Sequence, residues 1–239
     1  ILSGRTQDKN IAFISNWLNM ECGISVEEAR VIQDNRKIII KNILSLSKKF
    51  NYVFTTGGIG PTHDDITGES ISKAFKVKYE FHKEAYKILL NYYGKKKFND
   101  GRKKMAKMPK GSSLIYNPAS AAPGFKIKNI FCLPGVPSIL VSMIVNCKKF
   151  LNKGSKTFSK SINFYTVESK IAKDLGNIQK RYLRSVEIGS YPFFRLGRVG
   201  VSIVIRSKSI SKLNICEKLI KKMAKGKKIN IYSNYNENL

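Results

Sequence analysis

Apolar residues recur at helical spacing in residues 11–22, where Ile11, Ile14 and Leu18, with Trp17 more loosely, share one side and Gly23 supplies the stop. Residues 25–31 then read as a strand, 35–49 as a second amphipathic helix and 52–56 as a short buried strand. Helix, strand, helix, strand is the rhythm of an α/β fold with a mostly parallel sheet. Further helices are predicted over 69–76 and 82–93. The basic, glycine-punctuated segment 94–113 reads as a loop holding a short helix, 127–133 as a strand and 139–150 as an apolar helix. The polar run at 153–160 marks a boundary between a domain at 1–155 and a smaller one at 160–239. In the latter, 164–167 and 199–206 alternate like strands while 171–184 and 211–223 have helical period, so it reads as a small α+β unit.

With 42% hydrophobic and 25% charged residues the chain is globular in composition, and no apolar run reaches the length of a membrane span. Cys22, Cys132, Cys147 and Cys216 are widely spaced, with no Cys-x-x-Cys pair. A reduced, cytoplasmic protein without structural zinc is expected. No basic-then-apolar leader precedes Gly4, and the missing initiator Met reads as the mark of a fragment. The net charge of +28 favours anionic ligands, phosphate compounds first. Scattered Lys among Ile and Asn fits a solvated surface. Because no aromatic-rich RNA signature accompanies the charge, nucleic acid is disfavoured as a partner; a homo-oligomer is left open.

The chemistry concentrates in residues 55–70, TTGGIGPTHDDITGES. A strand, the turn Gly57, Gly58 and Gly60, and a helix starting near Thr67 would gather backbone N–H groups around one point, which suits phosphate. Asp64 and Asp65 would repel that phosphate unless a cation, Mg²⁺ by preference, lay between them. The same residues fit a plain corner in which Asp65 or Thr67 caps the helix, and the spacing does not choose. His63 is left outside the catalytic set. A second turn, Leu133, Pro134, Gly135, Val136, Pro137 and Ser138, also runs from strand to helix and could line the same crevice. The small, rigid segment 117–124, ending in Pro123 and Gly124, suits a wall against a flat ring or a packed loop. Among Arg102, Lys103, Lys104 and Lys107, one cation is expected to reach phosphate.

Gly58, Ile59, Gly60, Pro61 and Thr62 with Asp64, Asp65 and Thr67, then residues 122–125 and 133–137, together resemble the molybdopterin-binding-type domain of the competence/damage-inducible protein A (CinA-like) family. Residues 3–10 and Arg102 with Met105 and Ala106 extend the resemblance, and residues 188–192 and 201–207 are similar to the small domain that follows in that family. It implies a three-layer α/β domain with a nucleotide-diphosphate or pterin-diphosphate site. Magnesium would sit at Asp65, assisted by Asp64, with Glu69 close by as a candidate base, and these three make up the expected catalytic set. The other ligand contacts implied are Gly57, Gly58, Gly60, Thr62, Arg102, Pro123, Gly124, Gly135 and Ser138. The expected activity is hydrolysis of the diphosphate of ADP-ribose or FAD-like compounds by a metal-dependent nucleotide pyrophosphatase. Molybdopterin adenylyl transfer and a non-enzymatic nucleotide- or pterin-binding module are the alternatives. The family's first strand and its carboxy-terminal amidase domain have no counterpart in the sequence, so a stand-alone form is expected.

Overall fold

The computed structural model of the protein describes residues 1–195 and 197–232. They form two compact units, Ile1–Trp17 with Val26–Asn152, and Leu18–Ser25 with the described residues from Lys153 onward.

In the first unit, α1 (Asn10–Trp17) starts where the Asp8 carboxylate accepts the Ile11 N–H at 2.7 Å. The side chain of Asn35 caps α2 (Arg36–Lys49) by accepting from the N–H groups of Lys37 and Ile38. There follow β1 (Val53–Thr56), α3 (Thr67–Ala74), β2 (Tyr79–Phe81) and α4 (Lys83–Tyr93). The basic segment folds as α5 (Asp100–Lys104) and β3 (Lys107–Pro109), and the unit closes with β4 (Ser113–Ile115), β5 (Gly124–Ile127), β6 (Ile130–Leu133) and α6 (Pro137–Ile144).

The α/β class stands, with a mixed sheet of order β1-β6-β5-β4. The β1–β6 ladder is parallel, Val53 opposite Ile130 and Thr56 opposite Leu133, whereas the β5–β6 and β4–β5 ladders are antiparallel. The apolar run read as one strand over 127–133 contains a reversal: Lys128, at φ 50°, turns the chain between Ile127 and Ile130. All four residues of β6 are buried, as in a strand covered on both faces. Ile39 and Ile43 of α2, Ile71 of α3 and Leu89 of α4 pack in one core with Phe125, Ile127 and Ile130. The strand expected at 25–31 does not form. Val26 and Val31 are each 41% exposed, and Glu28 is spent on Arg30 and Lys49, so no apolar face exists to drive pairing.

The second unit contains β7 (Phe158–Phe164), α7 (Ala172–Arg181), β8 (Glu187–Arg195), β9 (Arg198–Ser207), α8 (Ile210–Gly226) and β10 (Ile231–Tyr232). Its antiparallel sheet runs β10-β7-β9-β8, the ferredoxin-like arrangement of a split βαβ. Phe164, Val201, Ile203 and Ile205 pack against Leu175 and Ile178 of α7 and Leu213, Cys216 and Ile220 of α8. The first strand lies earlier than the 164–167 expected. Pro192 masks β8 in the sequence and is tolerated because β8 is an edge strand. Leu18–Ser25 joins this unit through Asn19, which exchanges hydrogen bonds with the Thr157 backbone at 2.9 Å, and through Gly154, whose N–H reaches the Cys22 carbonyl at 2.7 Å. Among the described residues no helix is long and apolar enough to cross a membrane.

Candidate functional site

Because β1 and β6 are parallel neighbours, their carboxyl ends open at the same edge of the sheet. The Gly57 N–H extends the ladder to the Leu133 carbonyl at 2.9 Å, and the two turns that follow meet backbone to backbone. A Cβ on Gly135 would lie 3.3 Å from the Gly57 Cα, so only a bare backbone fits comfortably. Gly57 and Gly58 take φ of +93° and +69°, and the Gly58 carbonyl accepts the Thr67 N–H at 2.9 Å where α3 begins. Neither α3 nor α6 carries a side-chain N-cap. Two helix N-termini without a side-chain cap hydrogen bond thus follow the two adjacent strand ends, with Ser138 exposed in the first turn of α6. That arrangement presents positive dipole ends to an anion.

The acidic loop is tied to itself. The Asp65 carboxylate accepts the Thr62 N–H at 2.9 Å and the Thr62 hydroxyl at 2.6 Å, so it does not cap α3. Gly60 leaves room for it: a Cβ there would stand 2.6 Å from Asp65 Oδ2. Asp64 is exposed. Hydrogen bonding from Thr62 and from its own amide, with the charges of His63 and Lys104 nearby, holds its carboxyl below the usual range. Thr62 serves both acids, although a hydroxyl donates to only one at a time. The cation brought to this loop is Lys104, whose Nζ donates to the Thr62 carbonyl. Arg102 is turned elsewhere, its guanidinium 4.2 Å from the Tyr93 ring centre and bonded to the Lys97 carbonyl.

Glu69 sits in the first turn of α3 with both carboxylate oxygens engaged, by Arg36 at 2.6 Å and Lys73 at 3.1 Å. Desolvation pushes its pKa up, but the Lys73 hydrogen bond and the Arg36 charge outweigh it and the net shift is downward. It is therefore a poor proton acceptor. Pro123 and Gly124 are buried at the start of β5, where a Cβ on Gly124 would come within 2.4 Å of the Cys132 carbonyl. Their loop is knotted by Asn117, which bonds Ala119, Ser120 and Ala122.

Residues 1–153 match the model of the probable molybdopterin binding domain, and this is the unit that carries the paired turns. The chain belongs to that family. Within it the chain is CinA-like, and residues 156–233 match the FAD synthase middle domain. A protein of Archaeoglobus fulgidus is 33% identical over 80% of this chain and 81% of its own length. A CinA-like protein of Chloroherpeton thalassium is 30% identical over 87% of this chain but only 52% of its own length. A crystal structure of the protein CinA of Thermoplasma acidophilum, described as of unknown function, superposes with a TM-score of 0.59 at 32% identity, covering 63% of this chain and 90% of that one.

Two further residues of this molybdopterin-binding-type unit stand at the same edge without having announced themselves. The Tyr79 ring lies against Gly68, and burial, followed by the charges of Glu69 and Asp65, pushes its phenol up to about 12, so it stays a neutral donor. No sequence signal distinguishes a tyrosine in a three-residue strand. Asn10 is 5% exposed; its amide nitrogen donates to the Gly135 carbonyl at 2.9 Å, while its Oδ1 is buried with no hydrogen-bond partner among the described residues. A buried unpaired acceptor costs about 1–3 kcal/mol, which makes Asn10 a position where a ligand donor would be welcome.

Proposed function

We propose that the edge formed by the Gly57 and Gly135 turns binds a nucleotide or pterin diphosphate, and that the protein hydrolyses the diphosphate of ADP-ribose or FAD-like compounds. The observation that carries this reading is the meeting of two glycine turns at adjacent parallel strand ends, each leading into a helix without a side-chain cap. The backbone N–H groups of the turns would cradle the phosphates. Lys104 would offset charge on a leaving phosphate, in the place first expected of Arg102. The Pro123–Gly124 corner would bound the site at the start of β5, and Ser138 would offer a hydroxyl from α6.

Among the described residues no group of three or more His, Cys, Asp and Glu could hold a metal ion by itself. The donor set fits Mg²⁺ in the mode where one or two carboxylates share the ion with phosphate oxygens, and Asp64 and Asp65 would provide them. Bound there, the ion would supply charge neutralisation and a water of lowered pKa. Thr62 orients both carboxylates, and Glu69 keeps Arg36 and Lys73 drawn to α3 and so shapes the charge around the site. A second reading, a binding module without turnover, is favoured by the Asp65 carboxylate, which is already engaged by the Thr62 N–H and hydroxyl.

The deciding experiment incubates the protein with ADP-ribose, FAD, or molybdopterin plus ATP, with and without Mg²⁺, and follows AMP and adenylylated pterin. AMP release from ADP-ribose or FAD that needs the metal and falls at least about 100-fold in Asp65→Asn is the expected result. Adenylylated pterin would instead assign transferase chemistry. Tight nucleotide binding without product would assign the module.

A further inference from the structure

The second unit carries a surface of its own. Along β9, Val201, Ile203 and Ile205 are fully buried in the core shared with the two helices, so Gly200, Ser202 and Arg206 belong to the opposite face. The ladder register sets Tyr191 beside Ser202 and Phe193 beside Gly200, and β10 sets Tyr232 beside Asn163. Tyr165 follows β7 directly, its ring 6.3 Å from that of Phe193 and 5.2 Å from that of Tyr232. A Cβ on Gly200 would fall 2.3 Å from the Phe193 ring, so the missing side chain lets that ring lie down on the strand. Four aromatic rings scattered over 68 positions of sequence, from Tyr165 to Tyr232, come to one sheet face.

Cations border these rings. The Arg198 guanidinium is 5.8 Å from the Tyr165 ring centre, that of Arg195 is 6.0 Å from Tyr232, and Arg206 donates to the Tyr191 hydroxyl at 3.5 Å. Tyr165 also lines an open cleft of about 400 Å³ together with Lys170, Lys227 and Lys228. Residues 156–232 contain 18 Lys and Arg against 4 Asp and Glu. On the same face Asn163, 6% exposed, keeps a buried Oδ1 without a hydrogen-bond partner among the described residues.

We propose that this face binds single-stranded nucleic acid, with bases stacking on Tyr165 and its neighbours and phosphates running into the lysine cleft. Unpaired bases offer the flat apolar faces that such rings accept, and a duplex hides them. The charge supplies the complementary attraction to the backbone, and with it a steep dependence on salt.

The test titrates the full chain into a fluorescein-labelled 12-nucleotide RNA, the same DNA strand, the matched duplex and ATP, following anisotropy at 50 and 200 mM salt. Single strands are expected to bind at least about tenfold more tightly than the duplex or ATP. Tyr165→Leu should weaken that binding about tenfold, Tyr165→Phe should restore it, and Arg198→Ala should weaken it while flattening the salt slope by about one. Melting temperatures of the exposed Arg198 variant should match the parent, so a loss there is a loss of contact. Equal binding of duplex and single strand, equal binding by ATP alone, or single-strand binding untouched in both Tyr165→Leu and Arg198→Ala would overturn the proposal.

Discussion

Gly58 shows how a single residue constrains the candidate site. Its φ of +69° disfavours any side chain, and a Cβ would sit 2.0 Å from the Thr67 Oγ1, in the residue that opens α3. Gly58→Ala should therefore cost roughly 2–3 kcal/mol in denaturant unfolding, from backbone strain and a clash that only a shift of α3 relieves. Gly111→Ala provides the control: its φ is +83° with nothing within 4 Å of a Cβ, so it should cost only about 1 kcal/mol. Equal losses at the two positions would mean that strain alone governs both. The glycine turn and the acid pair were legible because their chemistry is local in sequence. Lys104 was visible only as one of a basic run, and choosing it over Arg102 needed the fold, since Tyr93 at the end of α4 and the Lys97 carbonyl just beyond it claim Arg102. Tyr79 and Asn10 reach the site through tertiary packing and left no local mark.

At the scale of elements, α2 and α3 are tied by Arg36 and Glu69, with Lys73 as the second partner. The Glu69 carboxyl has a folded pKa below its ordinary 4.5, so its contribution to stability is complete above that value and drains away as pH falls through the lowered one. The group is partly exposed, which limits the pair to less than about 1 kcal/mol. Glu69→Gln should lower the melting temperature slightly at pH 7 and not at all near pH 2; a difference that persists at pH 2 would assign the loss to packing. Elements with strong period were read best from their apolar spacing: α2 to within one residue at either end, α8 to one residue at its start but three short at its end. The failures have separate physical causes: 25–31 holds Val26 and Val31 but buries neither, 127–133 conceals a two-residue turn, and β8 looks broken by Pro192 until its edge position is known. The parallel direction expected of the sheet holds only for β1 and β6, which are distant in sequence, and fails at the tight β5–β6 hairpin hidden inside one apolar run.

For the whole molecule the dominant fact is charge: 44 Lys and Arg against 16 Asp and Glu leave most cations without an acid to pair with. Self-repulsion then opposes the compact state, and salt should relieve it. The ion pairs that salt would weaken are at least partly exposed and worth little each, so the balance favours screening. Raising NaCl from 10 to 150 mM at pH 7 should raise the melting temperature, with each kcal/mol of relief worth about 2–4 °C for a chain of this size. At equal ionic strength, inorganic phosphate or diphosphate should raise it further than chloride, because an anion held by the folded state stabilises it by mass action beyond general screening. Gly135→Val separates the two effects. Its side chain would fill the approach to Gly57, so it should abolish the extra gain from diphosphate while leaving the response to NaCl intact. If the variant keeps the diphosphate gain, the anion is held by the dispersed lysines and not by the paired turns.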